Sequence, residues 1–135
     1  MKRFEELDHT ADAGIRAYGK TLDELFANAA AGMFSLVTDL EKVRPVGEVE
    51  VRVKAKDVKA LLFDYLSELL VLHETEKLVF SEFDAKVRDL AVDARVRGER
   101  IDRGRHRLHM SIKAVTYHEM IVDPDQGIAQ VIFDI

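Results

Sequence analysis

The apolar residues of this chain follow two different periods, and the change from one to the other constrains the fold more than any other feature. Two segments repeat every three to four residues, which is typical of amphipathic helices. The first begins with a capping box, the T-L-D-E sequence at residues 21–24, and continues to Val37. The second begins at Asp57 and keeps its apolar face as far as His73. We therefore predict helices over residues 21–37 and 57–73.

Outside these segments apolar residues alternate with polar ones, as in strands that have one buried and one solvated face. The predicted strands are residues 4–7, 14–18, 49–55, 83–87, 90–96 and 108–114, and a closing hairpin of 120–122 and 128–133. The D-P-D-Q-G sequence at residues 123–127 supplies the turn of that hairpin. This order predicts an α+β fold, a single domain over residues 1–135, in which two amphipathic helices pack on one face of a largely antiparallel β-sheet.

Composition excludes several classes of protein. Apolar residues make up 47% of the 135 and charged residues 33%, which is enough for a packed core and argues against disorder. The chain has no cysteine, so a disulfide scaffold, a thiolate metal site and a cysteine nucleophile are all excluded. No apolar run reaches the ~18–20 residues of a membrane span, and the first residues lack the apolar stretch of a signal peptide. We expect a soluble, cytoplasmic protein that does not associate with membranes.

The net charge of −5 conceals one basic zone. Residues 95–113 contain seven basic and two acidic residues, which leaves a charge of −10 on the remainder of the chain. Such a zone could make a transient contact with RNA or with an acidic protein surface. Alternatively, its alternating arginines are only the solvated face of a strand.

Familiar catalytic signatures are absent from the sequence. There is no glycine-rich phosphate loop, no serine in a G-x-S-x-G turn and no pair of histidines at the helical spacing of a zinc protease. A conventional enzyme is therefore disfavoured.

Three polar clusters remain as candidates for function. The D-H-T-A-D sequence at residues 8–12 could bind a cation or supply a general base, or its aspartates could make Asx turns around a hydrogen-bonded His9. In the K-A-V-T-Y-H-E sequence at residues 113–119, Lys113 points outward. The Tyr117–His118 pair could move protons or bind phosphate, or it could be a core aromatic beside a satisfied imidazole.

The third cluster is at residues 132–135, where Asp134 adjoins the last residue, Ile135. An aspartate beside a terminal carboxylate offers oxygen ligands of the kind that hard divalent cations prefer. The alternative is a tail that simply ends in an aspartate.

Taken together, these motifs resemble the archease family. The resemblance rests on D-H-T-A-D-A-G-I at residues 8–15, G-K-T-L at 19–22, G-E at 98–99 with R-H at 105–106, K-A-V-T-Y-H at 113–118 and the final D-I. It covers essentially the whole chain. One departure is Asp8, where many members of the family have glutamate.

The resemblance implies an accessory protein and not an independent enzyme. Archeases assist the GTP-dependent RNA ligase that joins tRNA exons: they promote its guanylylation and its multiple turnover, and they broaden its nucleotide use. An older proposal for the family is a chaperone or modulator of nucleic-acid-processing proteins. By resemblance, Asp12, Asp134 and the main chain of Ile135 would bind a divalent cation, Ca²⁺ being expected and Mg²⁺ or Mn²⁺ being alternatives. Lys113, His9 and His118 are the further candidates for contact with the ligase.

Overall fold

The computed structural model describes residues 2–8 and 12–135. Two helices are present, α1 (Leu22–Val37) and α2 (Val58–Glu76), together with a short 3₁₀ turn at Leu40–Lys42. The strands are β1 (Phe4–Asp8), β2 (Ala13–Tyr18), β3 (Gly47–Lys54), β4 (Leu78–Arg88), β5 (Ala91–Arg100), β6 (Ala114–Val115), β7 (Ile121–Asp123) and β8 (Ile128–Asp134). Within the described residues, no helix is long and apolar enough to cross a membrane.

The strands form two antiparallel sheets. A five-stranded sheet has the order β1-β2-β8-β6, with β7 also paired to β8, and a three-stranded sheet has the order β3-β5-β4. The predicted α+β class, with two helices on antiparallel strands, is therefore confirmed. The strands divide between two sheets instead of one because alternation marks a half-buried strand without specifying its partner.

Helix α1 lies between the two sheets, in contact with β1, β2 and β8 of one and with β4 of the other. The predicted capping box is present, and the Thr21 hydroxyl accepts a hydrogen bond from the Glu24 N–H at 3.2 Å. Ala31 and Gly32, which lie off the predicted apolar stripe, are buried as well. A helix covered on both sides buries nearly its whole surface, which explains the small residues on its second face.

Helix α2 also contacts both sheets: β3, β4 and β5 of the three-stranded sheet and β6 and β7 of the five-stranded sheet. Its N-cap is Asp57, the carboxylate of which accepts from the Ala60 N–H at 2.8 Å. It ends three residues later than predicted, at Glu76, and its C-cap Lys77 adopts the left-handed conformation with φ of 56°. Tyr65 from α2 stacks on Phe26 from α1, and both are fully buried.

Strand β4 starts five residues before the predicted strand. The prediction missed these residues because a β-bulge interrupts the alternation of buried and exposed side chains. The register shifts between Phe80 and Glu82, so Val79 and Phe80 are both buried although they are adjacent. Gly98 of β5 makes this close approach possible, since a Cβ at that position would collide with the main chain of Val79 and Phe80.

The prediction of a strand over residues 108–114 is wrong for all but Ala114. The segment alternates between partly buried and exposed residues, yet only an isolated bridge between Leu108 and Thr38 precedes β6. It runs past the end of α1, where the His109 N–H donates to the Val37 carbonyl at 2.8 Å. Extended chain against a helix end shows the same period of two as a strand in a sheet.

Candidate functional site

Three of the predicted site residues flank one end of the five-stranded sheet. Strands β2 and β8 are antiparallel, and their last registered pair at this end is Ala13 with Phe133. Asp12 immediately precedes Ala13, and Asp134 immediately follows Phe133. The sequence predicts that these residues meet only if the first and last strands are neighbours. The last strand, β8, in fact pairs with the second strand, β2, and this pairing brings residues 12 and 134 to the same end of the sheet.

Lys113 belongs to the same end of the sheet. Ala114 of β6 is in register with Asp134, and the Lys113 N–H donates to the Asp134 carbonyl at 2.8 Å. The Lys113 side chain is exposed, as its place opposite buried Ile112 predicts. Two aspartates, a lysine and Ile135 therefore gather where β2 begins and β8 ends; we call this group the carboxylate end.

The carboxylates of Asp12 and Asp134 form no ion pair with a described residue, although Lys113 lies at the same end of the sheet. No ion pair or hydrogen bond within the described part of the chain engages either carboxylate, whereas Asp134 uses its main-chain oxygen to fix Lys113. Asp134 is exposed, Ile135 is 41% exposed and Asp12 is half-buried. Like charges facing each other across neighbouring strands destabilise a sheet, so this arrangement favours a bound cation.

The donors at the carboxylate end are oxygen atoms, which hard divalent cations prefer, but only two of them come from carboxylate side chains. Across residues 2–8 and 12–135, no three histidine, aspartate or glutamate side chains form a group that could hold a metal ion. Asp12 and Asp134 supply two carboxylates, so main-chain oxygen atoms such as that of Ile135 would have to complete the site. The candidate His9 lies outside the described residues.

Tyr117 and His118 lie in the connection between β6 and β7, outside the strands. Thr116 donates its N–H to the Ile132 carbonyl, so the chain has already moved along β8 and away from the carboxylate end. His118 has a side chain that is 64% exposed, with Nε2 3.8 Å from the Glu119 carboxylate. Tyr117 is 53% exposed and stacks on Phe63, with ring centroids 4.3 Å apart and planes 8° from parallel. It is therefore not a core aromatic.

A buried polar cluster anchors the segment that leads to Lys113. Glu99 of β5 makes a bidentate ion pair with Arg105, both distances being 2.7 Å, and also accepts from the Arg44 N–H. Its other partner is His106, a buried residue with Nε2 2.9 Å from the Glu99 carboxylate. Since His106 Nδ1 accepts from the Asp102 N–H at 2.9 Å, we assign the ring proton to Nε2, which donates to Glu99.

The electrostatics of this cluster centre on Glu99. The guanidinium of Arg105 holds the pKa of the Glu99 carboxyl well below its ordinary value, with further help from the Arg44 N–H and His106. The G-E and R-H motifs that enter the family resemblance are thus explained by structure. They fasten residues 99–106 to each other, so their role is positional.

The first part of the basic zone is balanced by acidic neighbours. Arg95 contacts Glu48 and Glu50 at 3.5 and 3.7 Å, and Arg97 contacts Glu48 and Glu82 at 3.1 and 3.6 Å. For these two arginines the solvated-strand interpretation holds. Arg100, Arg103 and Arg107 make no ion pair with another described residue.

Comparison with known proteins identifies the family. The sequence matches the Archease protein family (MTH1598/TM1083) over residues 4–135. It is 39% identical over 142 residues to the protein archease of Pyrococcus abyssi, covering the whole of both chains. The chain belongs to the archease family. The archease of Methanothermobacter thermautotrophicus is 41% identical over 141 residues, again with full coverage of both.

Solved structures agree with this assignment. The solution structure of Methanobacterium thermoautotrophicum protein 1598 superposes with a TM-score of 0.84, at 40% identity and full coverage of both chains. The crystal structure of a Thermotoga maritima protein, titled an archease and possible chaperone, gives a TM-score of 0.58 at 21% identity, covering 97% of this chain and 96% of that one. The second likeness concerns the fold alone.

Proposed function

We propose that this archease is a cytoplasmic accessory protein of the GTP-dependent RNA ligase that joins tRNA exons. In this role it promotes guanylylation of the ligase, permits repeated turnover and broadens the range of nucleotides used. It carries out no reaction of its own. Membership of the archease family supports an accessory role, and the carboxylate end supplies a surface through which the role could be exercised.

One observation carries the proposal. Two aspartates from distant parts of the sequence lie at the same end of one sheet, and neither carboxylate is engaged by any other described residue. A stable sheet gains nothing from such an arrangement, because unpaired like charges cost free energy. For a surface that binds a cation the arrangement is favourable, because both carboxylates are available as ligands and neither is used in an ion pair of the fold.

Each residue of the carboxylate end would have its own role in binding the cation or the ligase. Asp12 and Asp134 would bind a divalent cation through their carboxylates, and Ile135 through its main chain. Ca²⁺ is the expected cation, with Mg²⁺ and Mn²⁺ as alternatives, because all of these donors are oxygen atoms. The bound cation would supply positive charge where the ligase is contacted, and Lys113 would present an exposed amine beside it.

The direct test is guanylylation of a purified ligase with and without this protein at substoichiometric ratios. The proposal predicts that one molecule of this protein activates many ligase molecules, and that ligation continues beyond one turnover. Repeating the assay with other nucleoside triphosphates tests the broadened nucleotide use. A ligase that is equally active in the absence of this protein would contradict the proposal.

A chaperone is the second candidate, because the related Thermotoga maritima protein is titled a possible chaperone. A chaperone for nucleic-acid-processing proteins would suppress aggregation of unrelated client proteins. The aspartates of the carboxylate end would not matter for that activity, so Asp12→Ala would retain it. Loss of ligase activation in Asp12→Ala, with no suppression of aggregation by the wild type, would exclude this candidate.

A further inference from the structure

The exposed face of the three-stranded sheet is organised in four cross-strand rows. The register of β3, β5 and β4 places one residue from each strand in every row. In order along the sheet, the rows are Glu48–Arg97–Glu82, Glu50–Arg95–Asp84, Arg52–Asp93–Lys86 and Lys54–Ala91–Arg88. The sign of the charge therefore reverses halfway along this face.

The first two rows are electrostatically satisfied, because each central arginine lies between two carboxylates. The last two rows are not: they contain four cations and the single carboxylate of Asp93. Arg52 contacts Glu50 and Asp93 at 2.7 and 3.6 Å, and Arg88 contacts Asp23 of α1 at 3.4 Å. Lys54 and Lys86 are exposed and form no ion pair with any described residue. We call the last two rows the basic rows.

The basic rows enclose an open groove of about 730 Å³. Its floor includes Ala91, the small side chain of which separates Lys54 on one side from Arg88 on the other. A negatively charged chain could thus lie over Ala91, between Lys54 and Arg88, where the groove carries no carboxylate. The Asp93 carboxylate lines the adjacent row. Arginine and lysine at such a groove are the usual contacts of phosphate oxygens.

A second depression, of about 470 Å³, begins at Lys56, two residues beyond Lys54 of the groove. Between them, Ala55 donates its N–H to the Leu90 carbonyl at 3.1 Å. The depression is lined by Lys56 and Lys59, by the N-cap Asp57 and by the exposed aromatic side chain of Tyr117. One face of the Tyr117 ring is stacked on Phe63, and the ring is 53% exposed.

We propose that the basic rows and Tyr117 together bind single-stranded RNA. The phosphates would contact Lys54, Lys86 and their arginine neighbours, and a base would stack on the free side of Tyr117. A basic groove followed by an aromatic platform is the arrangement that recognises single strands without reading sequence. The choice of RNA as the polyanion rests on the proposed function, since the ligase acts on RNA.

The inference moves the expected RNA contact away from Arg95 and Arg97, the first part of the basic zone. In that zone Arg95 and Arg97 are held by glutamates, so they have little capacity for phosphate. The basic rows contribute their charge from β3 and β4 instead, where the sequence shows only isolated lysines and arginines.

The test is a fluorescence-anisotropy titration of labelled oligouridine with this protein, without ligase and without divalent cation, over a series of salt concentrations. Lys54→Glu with Lys86→Glu should weaken binding about tenfold or more, and should reduce the slope of log affinity against log salt by about 1.4. The matched control is Arg100→Glu with Arg103→Glu, which changes net charge equally within the basic zone and should have much the smaller effect. Equal losses in the two double variants would overturn the proposal.

Tyr117 provides an independent test of the platform. Tyr117→Ala should weaken binding about five- to hundredfold, whereas Tyr117→Phe, which keeps the ring, should bind nearly as the wild type does. Circular dichroism of each variant establishes that the fold is retained. If oligouridine does not bind and the Lys54/Lys86 variant instead raises the concentration needed to activate the ligase, the face docks an acidic protein surface and the RNA proposal is wrong. Because the titration contains no ligase, its failure would leave the proposed function standing.

Discussion

The carboxylates of the two sheets differ in whether they form ion pairs. On the three-stranded sheet Glu48, Glu50 and Glu82 each face an arginine from the central strand. At the end of the five-stranded sheet Asp12 and Asp134 form no ion pair with a described residue. The first set is paired with arginines within the fold, whereas the second set is not.

This difference separates charges that maintain the structure from charges that are available for binding. The glutamates of the three-stranded sheet are exposed and each contributes little to stability, as surface ion pairs usually do. They nevertheless reduce the positive potential around Arg95 and Arg97, which are the first two residues of the basic zone. Asp12 and Asp134 have no comparable ion pair among the described residues.

The largest predicted effect concerns the carboxylate end. Asp12→Asn or Asp134→Asn should reduce the multiple-turnover activation of the ligase by about tenfold or more, because each variant removes a ligand to the proposed cation. The measurement is ligation by purified ligase under conditions of excess substrate. Full activation by both variants would mean that the unpaired carboxylates have no role.

The matched control for this experiment is Asp125→Asn. Asp125 is exposed in the turn before β8, at the opposite end of the strand from Asp134, and the variant makes the same change in net charge. It should activate the ligase as the wild type does. A similar loss in this variant would point to net charge, and not to the carboxylate end, as the determinant.

The next largest effect concerns the stability that the Glu99 cluster provides. The Glu99 carboxylate is paired with an arginine, as the glutamates of the three-stranded sheet are, but its side chain is only 10% exposed. Arg105 lowers the pKa of Glu99 in the folded protein. The stabilisation is therefore present above the ordinary pKa of 4.5 and is lost as the pH falls below that value. Glu99→Gln should lower the melting temperature at neutral pH by about 5 °C or more.

The pH dependence distinguishes this ion pair from simple packing. The difference in free energy of unfolding between wild type and Glu99→Gln should shrink as the pH is lowered below 4.5. Protonation of Glu99 then removes from the wild type the ion pair with Arg105 that the variant lacks at every pH. Urea unfolding at a series of pH values measures it. A difference that stays constant through this range would show that the Glu99 charge is unimportant.

The smallest effect tests the satisfied rows of the three-stranded sheet. Arg97→Glu would place three carboxylates in the row of Glu48 and Glu82, and should cost about 1 kcal/mol of unfolding free energy. Adding Glu48→Lys should restore part of the loss, as a double-mutant cycle would measure. Arg103→Glu, at an exposed residue without an ion pair, should change stability by less than about 0.5 kcal/mol. Equal effects of the two arginine variants would mean that the ion pairs of Arg97 contribute nothing to stability.

Much of the fold follows from periodicity in the sequence. Both helices begin at the caps that local sequence predicts, Thr21 and Asp57, because a cap and its helix are neighbours in the chain. The division into two sheets could not be predicted, since pairing depends on contacts between residues far apart in sequence. For the same reason residues 108–113 alternate as a strand does but lie against the end of α1.

The candidate site shows the same limit. Asp12 and Asp134 could be named from the family resemblance, but only the β2–β8 register brings them together. The basic zone illustrates the reverse error, because counting charges along the chain misses the glutamates that β3 and β4 place beside Arg95 and Arg97. The basic rows were missed because Lys54 and Lys86 are distant in sequence and adjacent only through the sheet.

We expect the carboxylates of Asp12 and Asp134, at the end of the five-stranded sheet, to bind a divalent cation. Isothermal titration calorimetry with Ca²⁺ tests it most directly, using the wild type, the Asp12→Asn/Asp134→Asn double variant and the Asp125→Asn control. We predict one Ca²⁺ per chain for the wild type and the control, and no measurable binding by the double variant. Binding of Ca²⁺ by the double variant with the affinity of the wild type would contradict the claim.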